Sequence, residues 1–439
     1  MQNRFASLFA AIVLFAAAAL AVARPALALP PPLSSPIGGF NLTEDGTNFV
    51  YDASFEAGRL LPAQERVLAA KGLGASHIIL NVRATMVGGR GNEVTPMTPP
   101  AARGDEARRL VRLMRYIRAQ GMTVGLRPLV FVVGPRGEFP YVETRPDGSK
   151  KSWWHGNIQP SDPDRWFESF RVYLDQYALI AKLGKADDFT LGAELYSMTV
   201  GIEDQWKEYP YGFPGRWLEL LRYFRGKLPD ARLAYDINFT DDAVASGGLR
   251  KAGGEIERWR YRLVDLAGAI EPAQKQIWQD LVAFWTELDA IGIDMYRSLA
   301  SERDALSPQL EPLAAELKAR ADSYASQLDT ILTEIAVYVG VDKAIVLKEV
   351  GFRSVDKGYI DPFTYSGAGA YNEVHQAAAY SALFAAFWAP KWPWFKGICF
   401  WDIAIDPAKS GPGDVGFSPL GKPLTEAQIR AYFGAPKDR

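Results

Sequence analysis

The chain has 439 residues, 48% hydrophobic and 23% charged, enough to bury a large core, which excludes global disorder and collagen-like repeats. Its net charge of −2 comes from acidic and basic residues interspersed along the chain. No basic face is concentrated enough to draw a polyanion, which argues against nucleic acid as a partner.

At the N-terminus, Arg4 supplies a positive charge, Leu8 to Ala23 an apolar stretch, and Ala26-Leu27-Ala28 a small-x-small cleavage signal. Residues 1–28 therefore read as a secretory signal peptide. The run is Ala-rich and shorter than the ~20 residues of a spanning helix, so no stable membrane anchor is expected after cleavage, and no cysteine follows it to carry a lipid. The expectation is a bacterial exported protein, periplasmic or secreted. Pro30, Pro31, Pro32 and Pro36 make residues 29–36 a stiff extended leader, and residues 37–439 read as one domain.

In that domain, short apolar runs alternate with longer segments of helical periodicity, the pattern of βα units around a parallel sheet. The strands are expected at Gly38–Leu42, Ser76–Val82, Thr123–Leu129, Phe189–Ala193, Arg232–Ile237, Ala290–Met295, Ala344–Val350 and Gly397–Trp401. Eight is the number that closes a (β/α)8 barrel, the TIM barrel of the α/β class. Trp166, Phe167, Phe170, Tyr173, Leu174 and Tyr177 fall on one helical stripe. Leu110, Leu113, Met114 and Ile117 form another, and Leu328, Ile331, Leu332 and Ile335 a third; all three are packing faces. Gly121, Gly184 and Gly340 sit where left-handed caps end helices. Three long connections, Met86–Ala101, Gly134–Asp162 and Thr240–Pro272, follow strands and so lie on the face where barrels build sites. The third is an insertion at about residues 240–272, either a helical lid or an outward flap.

The single cysteine, Cys399, forbids an intrachain disulfide. His77, His155 and His375 lie far apart without ligand spacing, so neither a metal nor another cofactor is expected. No GxSxG elbow and no phosphate-binding glycine loop follows a strand, which argues against a serine hydrolase or a nucleotide enzyme. The 12% aromatic content is more than a core alone needs and suits grooves for sugars.

Two glutamates end strand-like runs: Glu194 on the fourth strand and Glu349 on the seventh. Their side chains can converge over the barrel mouth. Paired carboxyls there suit glycosidic bond cleavage, one giving a proton to the leaving oxygen and the other attacking the anomeric carbon.

Leu191-Gly192-Ala193-Glu194-Leu195-Tyr196-Ser197, Ile291-Gly292-Ile293-Asp294-Met295-Tyr296 and Lys348-Glu349-Val350-Gly351-Phe352-Arg353-Ser354 resemble the strand-four, strand-six and strand-seven motifs of glycoside hydrolase family 113. The resemblance runs from about Gly38 to Trp401. That family comprises clan A (β/α)8 retaining enzymes known chiefly as β-mannanases. The resemblance implies Glu194 as acid/base, Glu349 as nucleophile, and Tyr296 as hydrogen-bond donor to the nucleophile. Ala193 stands where many clan A enzymes carry an asparagine, and Lys348 replaces a small hydroxyl residue before the nucleophile.

Other strand-end residues are candidates for substrate binding. Trp401 offers a platform for a sugar ring or a core tryptophan, while Trp153 and Trp154 either flank the cleft or pack down on the barrel. Asn81 and Arg83 follow strand two, and Asp236 and Asn238 end strand five. Arg127 either pairs with a carboxylate or satisfies buried charge. Asp294 and Asp402 are hydroxyl ligands or helix caps. The expected function is a retaining, endo-acting β-glycosidase on β-linked hexose polysaccharide, β-mannan-like or bacterial exopolysaccharide. A catalytically silent glycan-binding barrel assisting polysaccharide export is the alternative.

Overall fold

Eight runs rich in Ile, Val, Leu and Phe form parallel strands: β1 (Ile37–Thr43), β2 (His77–Val87), β3 (Thr123–Val133), β4 (Asp188–Ala193), β5 (Arg232–Thr240), β6 (Ala290–Tyr296), β7 (Ile345–Val350) and β8 (Phe395–Ala404). Each pairs with its neighbours in chain order, and β1 pairs with both β2 and β8, so the sheet closes. A helix follows each strand: α1 (Pro62–Gly72), α2 (Arg103–Ala119), α3 (Pro163–Gly184), α4 (Pro214–Lys227), α5 (Lys275–Glu287), α6 (Leu310–Val339), α7 (Glu373–Leu383) and α8 (Pro423–Phe433). This computed structural model, a (β/α)8 TIM barrel, describes residue 33, residues 36–43, 62–246, 249–267, 271, 274–364 and 367–434. Residues 1–28, expected as a signal peptide, and most of the expected leader fall outside the described residues. No helix among those described is long and apolar enough to cross a membrane.

All eight strands stand where the sequence places them, several running further. β2 reaches Val87, so the connection after it begins two residues later than expected, while β3 ends at Val133 and leaves the next connection to begin at Gly134 as expected. The three helical stripes are buried. Asp162 caps α3 by accepting from Arg165 N at 3.1 Å, satisfying an otherwise unpaired amide of the first turn. Gly121 and Gly340 adopt the left-handed conformation, with φ of 81° and 78°. Gly184 does not. It is the last helical residue of α3, and the left-handed cap is Lys185, φ 58°. Gly184 serves packing instead, because a Cβ there would collide with the Met114 side chain.

The insertion after β5 is neither lid nor flap. A hairpin of Ala243–Ser246 and Leu249–Ala252 leads into a helix at Glu255–Arg260, extended by a wider turn at Tyr261–Asp265. Every residue of that helix is buried. Trp259 meets the rings of Tyr235, Phe284 and Trp285 at 5.9, 6.1 and 5.5 Å. An aromatic cluster thus binds the insertion to β5 and α5 and makes it part of the wall.

Candidate active site

Alternation along the strands turns every second residue inward, and here many inward positions are charged. Arg127 on β3 is 1% exposed. Its Nε donates to Asp236 of β5 at 2.7 Å, and its two terminal nitrogens donate to Asp294 of β6 and Glu349 of β7. One layer closer to the strand N-termini, Lys348 of β7 donates to Thr190 of β4 at 2.5 Å and pairs with Asp188 and Asp236 at 3.2 and 3.5 Å. His77 joins Asp188 at 3.3 Å. Gly125 and Gly292 make room for this layer, since a Cβ at either would strike the carboxylate of Asp188 or Asp236. Below it, a small cavity of about 20 Å3 lined by Leu33, Ile37, Arg232 and Ala290 lies at the strands' N-terminal end, the face of a barrel that serves stability rather than chemistry.

Two neighbouring residues on a regular strand face opposite sides, yet Lys348 and Glu349 both face inward. A bulge explains this: Ile293 pairs with Leu347, but the next residue, Asp294, pairs with Glu349. The skipped Lys348 is accommodated by the local bend. A second irregularity in β4, between Thr190 and Ala193, precedes Glu194. That residue sits at φ 53° with its N–H donating to Asp236 O at 2.8 Å. Non-glycine residues seldom adopt this region, and such outliers gather at functional sites.

At the mouth, Glu349 Oε1 accepts from the Tyr296 hydroxyl at 2.6 Å, and Oε2 accepts from Arg127. Burial pushes the Glu349 carboxyl above the ordinary range; the Glu194 charge adds to this, while Arg127 and the Tyr296 bond oppose it. Burial also lifts Asp294 well above, assisted by Glu349 and Asp236 against Arg127. Burial pulls Arg127 down, but its three carboxylates outweigh this and keep it firmly charged. Glu194 Oε2 contacts His155 Nε2 at 2.9 Å. That contact suits both protonation states: the ring N–H donates to a carboxylate, or a protonated carboxyl donates to the bare nitrogen. The carboxyls of Glu194 and Glu349 keep 17% and 16% exposure, which leaves each open to a ligand.

Among the predicted binding residues, Trp401 lies on β8, three residues before its end, with 6% exposure, and Trp154 is half-buried beside His155, ring centroids 4.8 Å apart. Trp153 is buried, its Nε1 donating to Glu143 at 2.7 Å. Arg83 is half-buried over the Phe131 ring at 5.3 Å. Four expected ligands are elsewhere. Arg127, Asp236 and Asp294 are sealed beneath the carboxyls, and Asn238 accepts from Glu255 N at 2.8 Å, tying β5 to the insertion helix. Asn81 donates to Asn41 at 3.1 Å and is fully buried. Asp402 caps no helix; it accepts from Thr43 of β1, and burial raises it to about 6. Arg127, Asp236, Asp294, Asn238 and Asn81 are at most 2% exposed, which keeps them from a sugar at the mouth, while Asp402 keeps 7%. His155, which lacks metal-ligand spacing, is the site residue that the sequence reading misses. Its signal was its place after two tryptophans in a strand-end connection.

Residues 255–422 match the family model described as Glycoside Hydrolase Family 113. No curated protein matches. Among solved structures, a family 113 β-1,4-mannanase is 17% identical over 92% of this chain and 100% of its own, with a TM-score of 0.59. The family 113 β-mannanase from Alicyclobacillus acidocaldarius, solved in complex with ManMIm, is 19% identical over 91% and 98%, with a TM-score of 0.58. Residues 255–422 are thus similar to glycoside hydrolase family 113, and the chain shares the (β/α)8 fold of that family's solved structures.

Proposed function

We propose that this protein is a retaining glycoside hydrolase that cleaves β-linked hexose polysaccharide with Glu349 as nucleophile and Glu194 as acid/base. The carrying observation is the pairing at the mouth: Tyr296 and Arg127 hold one oxygen each of Glu349, while Glu194 stands at the end of β4 against His155. In the first step a Glu349 oxygen attacks the anomeric carbon, and Glu194 gives its proton to the leaving oxygen. In the second, Glu194 takes a proton from water, which displaces Glu349 and restores the starting anomer. Tyr296 and Arg127 fix the attacking carboxylate without reorganisation during the reaction. Trp401 and Trp154 supply apolar planes for sugar rings. The mannanase relatives support a β-linked hexose backbone.

The test is proton NMR of products from β-mannan, glucomannan, β-glucan and bacterial exopolysaccharide. The expected result is the β-anomer first, with Glu349→Gln slowing turnover by several orders of magnitude. Wild-type rates in that variant, or the α-anomer first, would overturn the assignment. The N-terminal signal further supports export to the periplasm or medium. Mass spectrometry of the exported chain is expected to find it beginning after Ala28.

A further inference from the structure

Six arginines among the described residues are buried: Arg127, Arg258, Arg260, Arg262, Arg297 and Arg353. A guanidinium taken out of water needs acceptors for its fork of N–H groups, and five have them. In the insertion helix and the turn after it, Arg260 pairs with Glu257, Asp265 and Glu334 at 2.7, 2.7 and 3.1 Å. Arg262 pairs with Glu203 and donates to the carbonyls of Val200 and Pro210 at 2.9 and 2.7 Å. Arg127 has its three carboxylates, Arg297 donates to Asp241 at 2.7 Å, and Arg353 donates to two carbonyls.

Arg258, 8% exposed, has no hydrogen-bonding or ion-pair partner among the described residues. It rests over the ring of Tyr196, 5.2 Å from the centroid. That ring meets Trp154 at 5.6 Å, and Trp154 meets His155, the partner of Glu194. Tyr196 is itself two residues beyond Glu194, and the charges of Arg258 and Glu194 both act on its hydroxyl. The unused guanidinium is therefore linked to the acid/base carboxyl through the rings of Tyr196, Trp154 and His155.

We infer that Arg258 receives the carboxylate of a hexuronate residue bound next to Glu194, so that the site takes an acidic β-linked polysaccharide. A carboxylate matches the planar fork in two parallel bonds, stronger than those to a neutral hydroxyl. The π-face of Tyr196 holds the cation in place meanwhile. A further cation lies in the connection after β3. Lys151 lies over the Trp153 ring at 3.6 Å. Burial, then the charges of Arg145 and Arg90, bring its amine down to about 8.

This inference rests on the proposed hydrolase site and deepens it. The test uses the full chain carrying Glu349→Gln and calorimetry at low salt with β-1,4-linked tetramers of mannuronate and glucuronate. Their carboxyl-reduced counterparts, mannotetraose and cellotetraose, are the controls. At least one acidic tetramer is expected to bind at least about tenfold more tightly than its neutral control, the factor one charge-assisted bond supplies. Adding Arg258→Gln removes most of that ratio, and Arg258→Lys restores part. Equal or tighter binding of the neutral tetramers, a ratio that survives Arg258→Gln, or binding of none overturns the inference. Preferential acidic binding without hydrolysis by the unaltered chain overturns the hydrolase reading alone.

Discussion

Tyr296 and Arg127 hold the two oxygens of Glu349 against its own burial. The Tyr296 bond is one of the contributions that lower the carboxyl. Tyr296→Phe is therefore expected to raise the Glu349 pKa and shift the acidic limb of the kcat/KM profile to higher pH. Losing a preorganised hydrogen bond costs roughly 10²-fold in kcat, and a pH series on the variant reads both effects. An unmoved acidic limb would show that the hydroxyl does not govern this carboxyl. The Glu349, Glu194 and Tyr296 positions were legible in the sequence because each ends an apolar strand. Arg127, Asp236 and Asp294 were legible as polar strand residues. Their burial beneath the carboxyls was not, since alternation gives the side of the sheet and not the depth along the barrel axis.

At the scale of elements, the strands and three helix faces follow from local periodicity, while the insertion does not. Charged residues crowd Glu255-Ile256-Glu257-Arg258-Trp259-Arg260, which in one dimension reads as a helical lid or an outward flap. In the fold Trp259 is fully buried against Tyr235 and Trp285, and Arg260 closes on three carboxylates. Trp259→Ala is expected to destabilise the protein by about 3–5 kcal/mol, the cost of a large ring lost from a packed core. Thermal unfolding measures it, and an unchanged midpoint would return the insertion to the status of a lid. The β7 bulge belongs to this scale as well. No feature of the Lys348-Glu349 dipeptide announces it; it arises because Lys348 finds Thr190, Asp188 and Asp236 across the barrel.

For the whole molecule, buried acids make stability depend on pH. Burial raises the Glu255 carboxyl to about 8, with the Glu194 charge adding to this and the Trp259 N–H bond opposing it. Its folded value lies above the unfolded one, so this contribution is fully present below the ordinary 4.5 and disappears as pH rises through about 8. Asp402, raised to about 6, acts with the same sign over a lower window. The melting temperature is expected to fall from pH 5 to pH 9, and Glu255→Gln, which stays neutral, to flatten the slope by a few kcal/mol equivalent. Parallel slopes for the two proteins would refute the Glu255 contribution. Sequence alone determined the barrel, because hydrophobic period and strand number are local properties summed along the chain. It also determined the two acidic strand ends. Only tertiary structure decided which polar groups meet, because Arg127, Lys348, Glu255 and Arg258 find or lack partners tens to hundreds of residues away, and that pairing is set by barrel closure rather than by neighbours in the chain.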